Sequence, residues 1–291
     1  MSNLLSICLG RYLLLYGNID QGVSENVAGV RWMNDGLSAD SITNNLGTVF
    51  IGRRVICYSS LDSTNIVAKQ EALRGGSEGT AIIARRQLAG RGRLGRSWLS
   101  PEGSISLSVI LYPPLACLHT LIMISSLALA NSIGTVTGLK AEIKWPNDIM
   151  LRGGKVSGIL IESSVSEGVV DYAVIGIGVN VNLHLRNFPE IADSATSLSD
   201  ELGREIPVLY LVRIMLVEIE HQYLNVLGGG DIYAEWRSRL INLGQQVSVQ
   251  SGDSLLEGIA ESVSRNGSLL VRKNDGSLET VIAGDVNLVQ Y

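Results

Sequence analysis

Residues 149–182 read IMLRGGKVSGILIESSVSEGVVDYAVIGIGVNVN, and the fold is decided there. Residues 149–152, 156–162 and 169–181 are apolar runs of strand length, separated by Gly153-Gly154 and by Ser166-Glu167-Gly168. Apolar runs closed by short glycine-bearing turns predict strands that fold back on one another, so this stretch reads as an antiparallel meander.

Working upstream, 79–85 reads as a buried strand, and Ile105, Leu107, Val109 and Leu111 alternate with Ser104, Ser106 and Ser108, the period of a half-buried strand. Residues 55–58 form a further short strand, after which Asp62-Ser63 supplies N-cap chemistry for a helix running to Gly75-Gly76. Residues 118–133 are apolar nearly all round and end at Gly134, which predicts a helix packed under the sheet. Downstream, Pro207 at the first helical position opens a long helix through Leu227, Gly228-Gly229-Gly230 breaks it, and Asp231 caps a short helix. Beyond about Leu240, the runs 246–250, 255–263, 268–273 and 278–282 alternate with Gly, Asn and Asp turns and predict a small β-barrel.

A net charge of −5 confines any anion site to a local patch and does not mark a nucleic-acid binder. Cys8, Cys57 and Cys117 are odd in number, far apart and without a CxxC, which argues against a disulfide framework or a zinc site and for a reducing, cytoplasmic setting. The apolar stretch 4–16 is interrupted by Arg11 and too short to span a bilayer, so no membrane association is expected. Residues 1–47 show neither the basic face nor the helical periodicity of a DNA-reading element and are treated as an N-terminal extension without an assigned role.

The segment with the strongest chemistry is Gly90-Arg91-Gly92-Arg93-Leu94-Gly95-Arg96, three arginines and three glycines directly after a strand. Glycines let the backbone close around a ligand, and guanidiniums present forked donors to phosphate or carboxylate oxygens. An RNA-binding Arg-Gly loop has the same composition, but Trp98 and the following strand argue against lasting disorder. No Gly-Lys-Ser/Thr closes the segment, which excludes a Walker loop. In Lys144-Trp145-Pro146-Asn147-Asp148, Asn147 suits nucleotide orientation, and Asp148 suits a metal ion or another basic group; a surface turn is the competing reading. Lys155 is either an exposed edge guard or a fixed cation aimed at developing charge, and periodicity does not decide. In Gly176-Ile177-Gly178-Val179-Asn180 the strand glycines mark either close approach by a ligand or tight packing. His119, His184 and His221 lack partners in any metal or nucleophile pattern.

Taken in order, Ser63-Thr64-Asn65, Gln87, GRGRLGRSWLSP (90–101), KWPND (144–148), KVSGILIE (155–162) and GIGVNVN (176–182) resemble the biotin-protein ligase family, from about Thr48 to the C-terminus. The resemblance implies an α+β fold: a central mixed, largely antiparallel sheet flanked by helices, like a class II synthetase, with a small C-terminal SH3-like β-barrel. It divides the chain into an extension (1–47), a catalytic domain (48–241) and a C-terminal domain (242–291). It further implies that Ser63, Thr64, Asn65 and Gln87 bind the biotin head group, with Gly90, Arg91, Gly92 and Arg93 forming the loop over biotin and adenylate, and Gly158 on the strand approaching biotin. Lys155 would contact both the biotin carboxylate and the α-phosphate and, with Arg93, carry catalysis. Arg96, Trp98, Asn147 and Asn180 would serve the ATP site, with Trp98 against the adenine and Asp148 as a metal ligand.

The implied reaction is ATP-dependent activation of biotin to biotinyl-5'-AMP, assisted by Mg²⁺, and transfer to a lysine of a biotin carboxyl carrier protein. Ser157 stands where the family often has a second glycine. A lipoate-protein ligase, a biotin-sensing transcriptional regulator and a catalytically decayed binding module are the alternatives. The GRGR and KWPND pair favours biotin, no DNA partner is expected, and the sequence leaves a homodimer open.

Overall fold

Two turns set the geometry of the meander. The computed structural model describes residues 36–251, 254–282 and 284–288. Strands β5 (Asp148–Leu151) and β6 (Gly154–Ser166) are joined through Arg152 and Gly153, and β6 and β7 (Val169–Asn180) through Glu167 and Gly168; all four turn residues have positive φ. Two-residue turns with both central residues left-handed match the right-handed twist of the strands they join. The first turn falls one residue earlier than Gly153-Gly154, because Gly154 already pairs with Leu151 in the ladder.

Around this meander the sheet grows to seven strands in the order β1-β2-β3-β7-β6-β5-β4, where β1 is Val55–Tyr58, β2 Ala81–Ala84, β3 Ser104–Leu111 and β4 Glu142–Lys144. Only β1 and β2 pair in parallel; the other neighbours are antiparallel. The two faces then divide by the strand period of two. Ile83, Leu107, Val109, Ile175, Ile177 and Ile159 belong to the large core with helices α3 (Leu121–Thr137) and α5 (Val208–Leu227). The opposite face carries Ile82, Ile110 and Val174, which pack under Ala68 and Ala72 of helix α2 (Thr64–Leu73). That small cluster fixes the start of α2 over the middle of the sheet.

Helix α3 with its preceding turn, Leu115–Thr137, is long and apolar enough by composition to cross a membrane. Its residues, including Leu121, Ile124, Leu127 and Ile133, are instead buried against the sheet and α5. It passes through Gly134 and ends at Gly138, whose left-handed conformation (φ 73°) makes the cap. In α5, Pro207 occupies the N-cap rather than the first helical position, since its ψ of 100° is extended. Asp231 accepts from the Tyr233 N–H at 2.9 Å at the start of α6 (Tyr233–Ser238). A short helix α4 (Leu198–Leu202) is capped by Ser197.

The part of the extension that lies within the described residues is ordered on the core. Helix α1 (Ala39–Thr43) starts in a reciprocal Ser38–Ser41 capping box, and Ile42 and Leu46 are fully buried. Arg213 of α5 donates to the carbonyls of Ser41, Ile42, Asn44 and Asn45. The expected lack of helical pattern fails here because a five-residue helix is too short to show a period; two apolar anchors and capping suffice. Residues 1–35, on which the rest of that expectation falls, lie outside the described residues.

Strands β8 (Gln246–Ser251), β9 (Ser254–Val263), β10 (Leu269–Arg272), β11 (Leu278–Val281) and β12 (Asp285–Leu288) form an antiparallel sheet in the order β11-β10-β9-β8-β12. The last strand was not read from the sequence. The sheet joins the larger domain through the KWPND turn: the Trp145 ring N–H donates to the Gly267 carbonyl at 2.8 Å, and the Trp145 backbone N–H donates to Asn242 Oδ1 at 2.6 Å. Trp145, 2% exposed, is thus a pin between the domains.

Candidate active site

The site is laid out by strand register. Ser106, Gly178, Gly158 and Asp148 are successive partners across β3, β7, β6 and β5, and Ser108, Gly176 and Leu160 make the next row. Side chains in register share a face, so the glycines open a trough between polar residues at its sides. The cavity over this trough is lined by Ser63, Thr64, Asn65, Gln87, Arg91, Gly92, Arg93, Arg96, Trp98, Asn147, Lys155 and the register residues, except Ser108.

At one end, Ser63 takes the extended N-cap conformation without making a side-chain cap bond. The first-turn N–H of Thr64 instead donates to Gln87 Oε1 at 2.8 Å, so Gln87 supplies the capping acceptor that Ser63 withholds. Ser108 bonds both Thr64 Oγ1 (2.7 Å) and Asn65 Oδ1 (2.6 Å), and the Asn65 amide donates to Glu162 Oε2 at 2.9 Å. A Cβ added to Gly176 would lie 2.1 Å from Asn65 Oδ1. The glycine is needed because Asn65 sits directly on the strand. Ser106, Ser108 and Glu162 were not assigned to the site from the sequence; the serine alternation in β3 was the available signal, whereas the strand glycines Gly176 and Gly178 had been noted.

The arginine loop folds on itself through Trp98 N–H to Gly90 O (2.9 Å) and Gly92 N–H to Arg96 O (2.7 Å). It brings Trp98 down onto the trough, where Cβ atoms added at Gly178 and Gly158 would lie 2.3 and 3.3 Å from the indole. Tight packing is therefore what the GIG and SG glycines permit, the close approach being made by Asn65 and Trp98. Arg93 reaches Asn147 Oδ1 and the Gly284 carbonyl, both at 3.4 Å.

Lys155 points into the cavity rather than guarding an edge. Its Nζ lies 2.6 Å from Asp148 Oδ1 and 5.4 Å from the centroid of the Trp98 ring. Its backbone is clamped by Lys155 N–H to Ser194 O and Thr196 N–H to Lys155 O, next to a register shift between Ile149 and Met150. Asn147 Nδ2 donates to the Ile159 carbonyl at 2.8 Å. Asn180 is 3% exposed, donates to Thr196 O at 3.0 Å and does not line the cavity; Gly90 also lies behind the lining. Ser157, which does not line the cavity, donates to the Gly178 carbonyl at 2.5 Å and ties β6 to β7.

Arg91, Arg93, Arg96 and Lys155 set four cations against the single lining carboxylate of Asp148, so a chain of net charge −5 carries a local anion site. Burial alone would raise the Glu162 carboxyl, but bonds from Lys69 and Asn65 and the charges of Lys69 and Arg91 outweigh it and hold it below the ordinary carboxylate range. The arrangement thus offers a neutral hydrogen-bonding end, a flat apolar middle and a cationic end.

Residues 57–180 match the biotin/lipoate A/B protein ligase family, and residues 243–289 match the biotin protein ligase C-terminal domain. A bifunctional ligase/repressor BirA of Bacillus subtilis is 34% identical over 87% of this chain and 79% of its own length. A biotin–[acetyl-CoA-carboxylase] ligase of Paracoccus denitrificans is 35% identical over 72% of this chain and 91% of its own. The biotin protein ligase of Aquifex aeolicus, solved in complex with biotin and ATP, superposes with a TM-score of 0.70 at 29% identity, covering 82% of this chain and all of that one. With both domains matched and relatives of this identity aligned over most of the sequence, the chain belongs to the biotin protein ligase family.

Proposed function

We propose that the chain is an ATP-dependent biotin-protein ligase, and the observation that carries the reading is Lys155, held by a clamped backbone and Asp148 between the polar pocket and the arginine loop. Ser63, Thr64, Asn65 and Gln87 take the ureido head group; Trp98, expected against the adenine, packs over Gly158 and Gly178, from where it borders the apolar remainder of biotin as well. The carboxylate then lies at the cationic end. There its oxygen attacks the α-phosphorus of ATP, the bond to the β-phosphate breaks, and pyrophosphate leaves. Lys155 and Arg93 offset the negative charge that accumulates between the two anions. The mixed anhydride is open to hydrolysis, and the loop at 90–98 excludes water until a carrier lysine amine attacks the acyl carbon and AMP departs. Arg96, Asn147 and Asn180 are assigned to the nucleotide side, Asn180 acting through the 194–196 segment that clamps Lys155.

Among the described residues no three His, Cys, Asp or Glu side chains stand together as a metal cage. One carboxylate, already paired with Lys155, beside four cations does not hold a resident Mg²⁺; the residues fit the ion only where the triphosphate brings the negative charge and most of the oxygen ligands. Asp148 and Asn147 would hold it, and it would add charge neutralisation at the phosphates.

The acceptor we infer is the biotin carboxyl carrier domain of a biotin-dependent carboxylase, in the cytoplasm. A ligase without a repressor role fits residues 1–47, where Arg11 and Arg31 are outnumbered by Asp20, Glu25, Asp35 and Asp40. The catalytic unit, expected at 48–241, we extend back to include helix α1, whose Ile42 and Leu46 belong to its core, and we place the C-terminal unit at 242–291. The test is transfer by purified protein with ATP, Mg²⁺, a carrier domain and either biotin or lipoate. A carrier mass increase with biotin alone supports the reading, labelling with lipoate alone moves the chain to the sibling activity, and no labelling refutes both. In the same assay Lys155→Ala is expected to lower adenylate formation by at least about 10²-fold; near-normal turnover would remove Lys155 from the mechanism.

A further inference from the structure

Glu162 lies on the site face of β6, one same-face position beyond Leu160 and opposite Val174, and does not line the cavity. Its carboxylate nevertheless meets three cavity-organising groups. Oε2 accepts from Asn65 Nδ2 at 2.9 Å, Oε1 accepts from Lys69 Nζ at 2.7 Å, and Arg91 Nη1 stands 3.6 Å from Oε1. Asn65 and Lys69 are one turn apart on α2, whereas Arg91 belongs to the arginine loop. One carboxylate therefore joins the head-group helix to the loop.

An ionised carboxylate only accepts hydrogen bonds, whereas a primary amide has one donating and one accepting end. Glu162 therefore dictates the orientation of Asn65: the NH₂ faces Glu162, and the carbonyl faces the Ser108 hydroxyl at 2.6 Å. With the amide turned over, two acceptors would oppose each other at Glu162. Electrostatics keep this acceptor ionised, because Lys69, Asn65 and Arg91 together outweigh the effect of its burial.

We propose that Glu162 is a positioning residue for the ligase reaction, setting the Asn65 amide for the biotin head group and holding Arg91 so that the loop closes in register over it. The proposal rests on the biotin reading of the site and deepens it: recognition of the head group and closure of the loop share one anchor. Lys69 serves that anchor by balancing its charge.

The experiment uses the full-length chain and its Glu162→Gln and Lys69→Met variants. Three readouts are biotin affinity by calorimetry without ATP, kcat and KM for adenylation, and the rate of tryptic cleavage after Arg91, Arg93 and Arg96 with and without saturating biotin. Glu162→Gln keeps the volume but places an NH₂ against Lys69 or Asn65. It is expected to weaken biotin binding about 10- to 100-fold, the range of one hydrogen bond to a charged group. The expected loss is in KM more than in kcat, with the loop remaining cleavable under biotin where the parent is protected. Lys69→Met leaves the Asn65 bond in place and is expected to lose less. Parental affinity and loop protection in Glu162→Gln would overturn the proposal, as would a loss in Lys69→Met equal to or larger than that in Glu162→Gln. If the parent itself neither binds biotin nor forms an adenylate, the biotin reading fails instead.

Discussion

Gly176→Ala tests the trough directly. The new Cβ would stand 2.1 Å from Asn65 Oδ1 and 2.7 Å from Asn65 Cγ, where non-bonded heavy atoms prefer about 3.5–4 Å. Gly176 has no positive φ, so the backbone accepts alanine and the cost falls on the contact. Asn65 is 4% exposed and held on both sides; to clear the methyl it has to retreat by more than about 1 Å. That movement breaks the Ser108 bond, about 1 kcal/mol, and the bond to the Glu162 carboxylate, about 1.5–3 kcal/mol. At about 1.4 kcal/mol per tenfold, the biotin dissociation constant should rise roughly 50- to 700-fold if the loss falls on the bound state. Titration calorimetry with biotin reads the affinity, and a thermal melt reads the share that falls on the fold. Affinity within about twofold of the parent with an unchanged melting temperature would refute the argument that Gly176 exists to seat Asn65.

Two further variants test the frame around the site. Glu220, 4% exposed, accepts the N–H groups of Val49, Phe50 and Ile51 at 2.6, 2.8 and 2.8 Å. Glu220→Gln turns an NH₂ toward one side of that donor set and should cost about 2–4 kcal/mol, read as a midpoint shift in denaturant unfolding; an unchanged midpoint would show that the 48–52 segment is held by its apolar contacts instead. Gly134→Ala should stabilise the protein by about 0.5–1 kcal/mol in the same measurement, since the site is inside α3 and the added Cβ would approach nothing nearer than 3.6 Å. A loss of stability would mean that the helix is not continuous through residue 134.

Short-range pattern in the sequence carried much of the fold. Period-two alternation in 104–111, apolar runs bounded by glycine, and residues suited to turns were enough for the meander, the flanking helices and four of the five C-terminal strands. The ordered motifs were enough for the family, because their residue types are chemically unusual at that spacing. The missed elements carry little local signal: α1 and α4 are five residues each, α1 held by two buried apolar side chains and α4 started by the Ser197 cap, and β12 (Asp285–Leu288) is four residues whose partner, β8, is more than thirty positions away. Helix ends moved by a few residues because local φ and ψ, not residue type alone, decide a cap, as at Pro207 and Gly134.

The open choices closed once long-range pairing was in place. Lys155 could not be assigned from periodicity, because a lysine near a bulge faces either way until register is fixed; pairing across β5 and β6 and the clamp from 194–196 turn it inward. The strand glycines became intelligible once register put Gly158 opposite Gly178 and brought Asn65 and Trp98 onto their row. Asn180, conspicuous in the sequence, moved behind the cavity wall, and Glu162, unremarked in a run of β residues, became the junction of helix and loop. Sequence carries chemistry and period, whereas the distances that make a site come from long-range register, which no local pattern specifies.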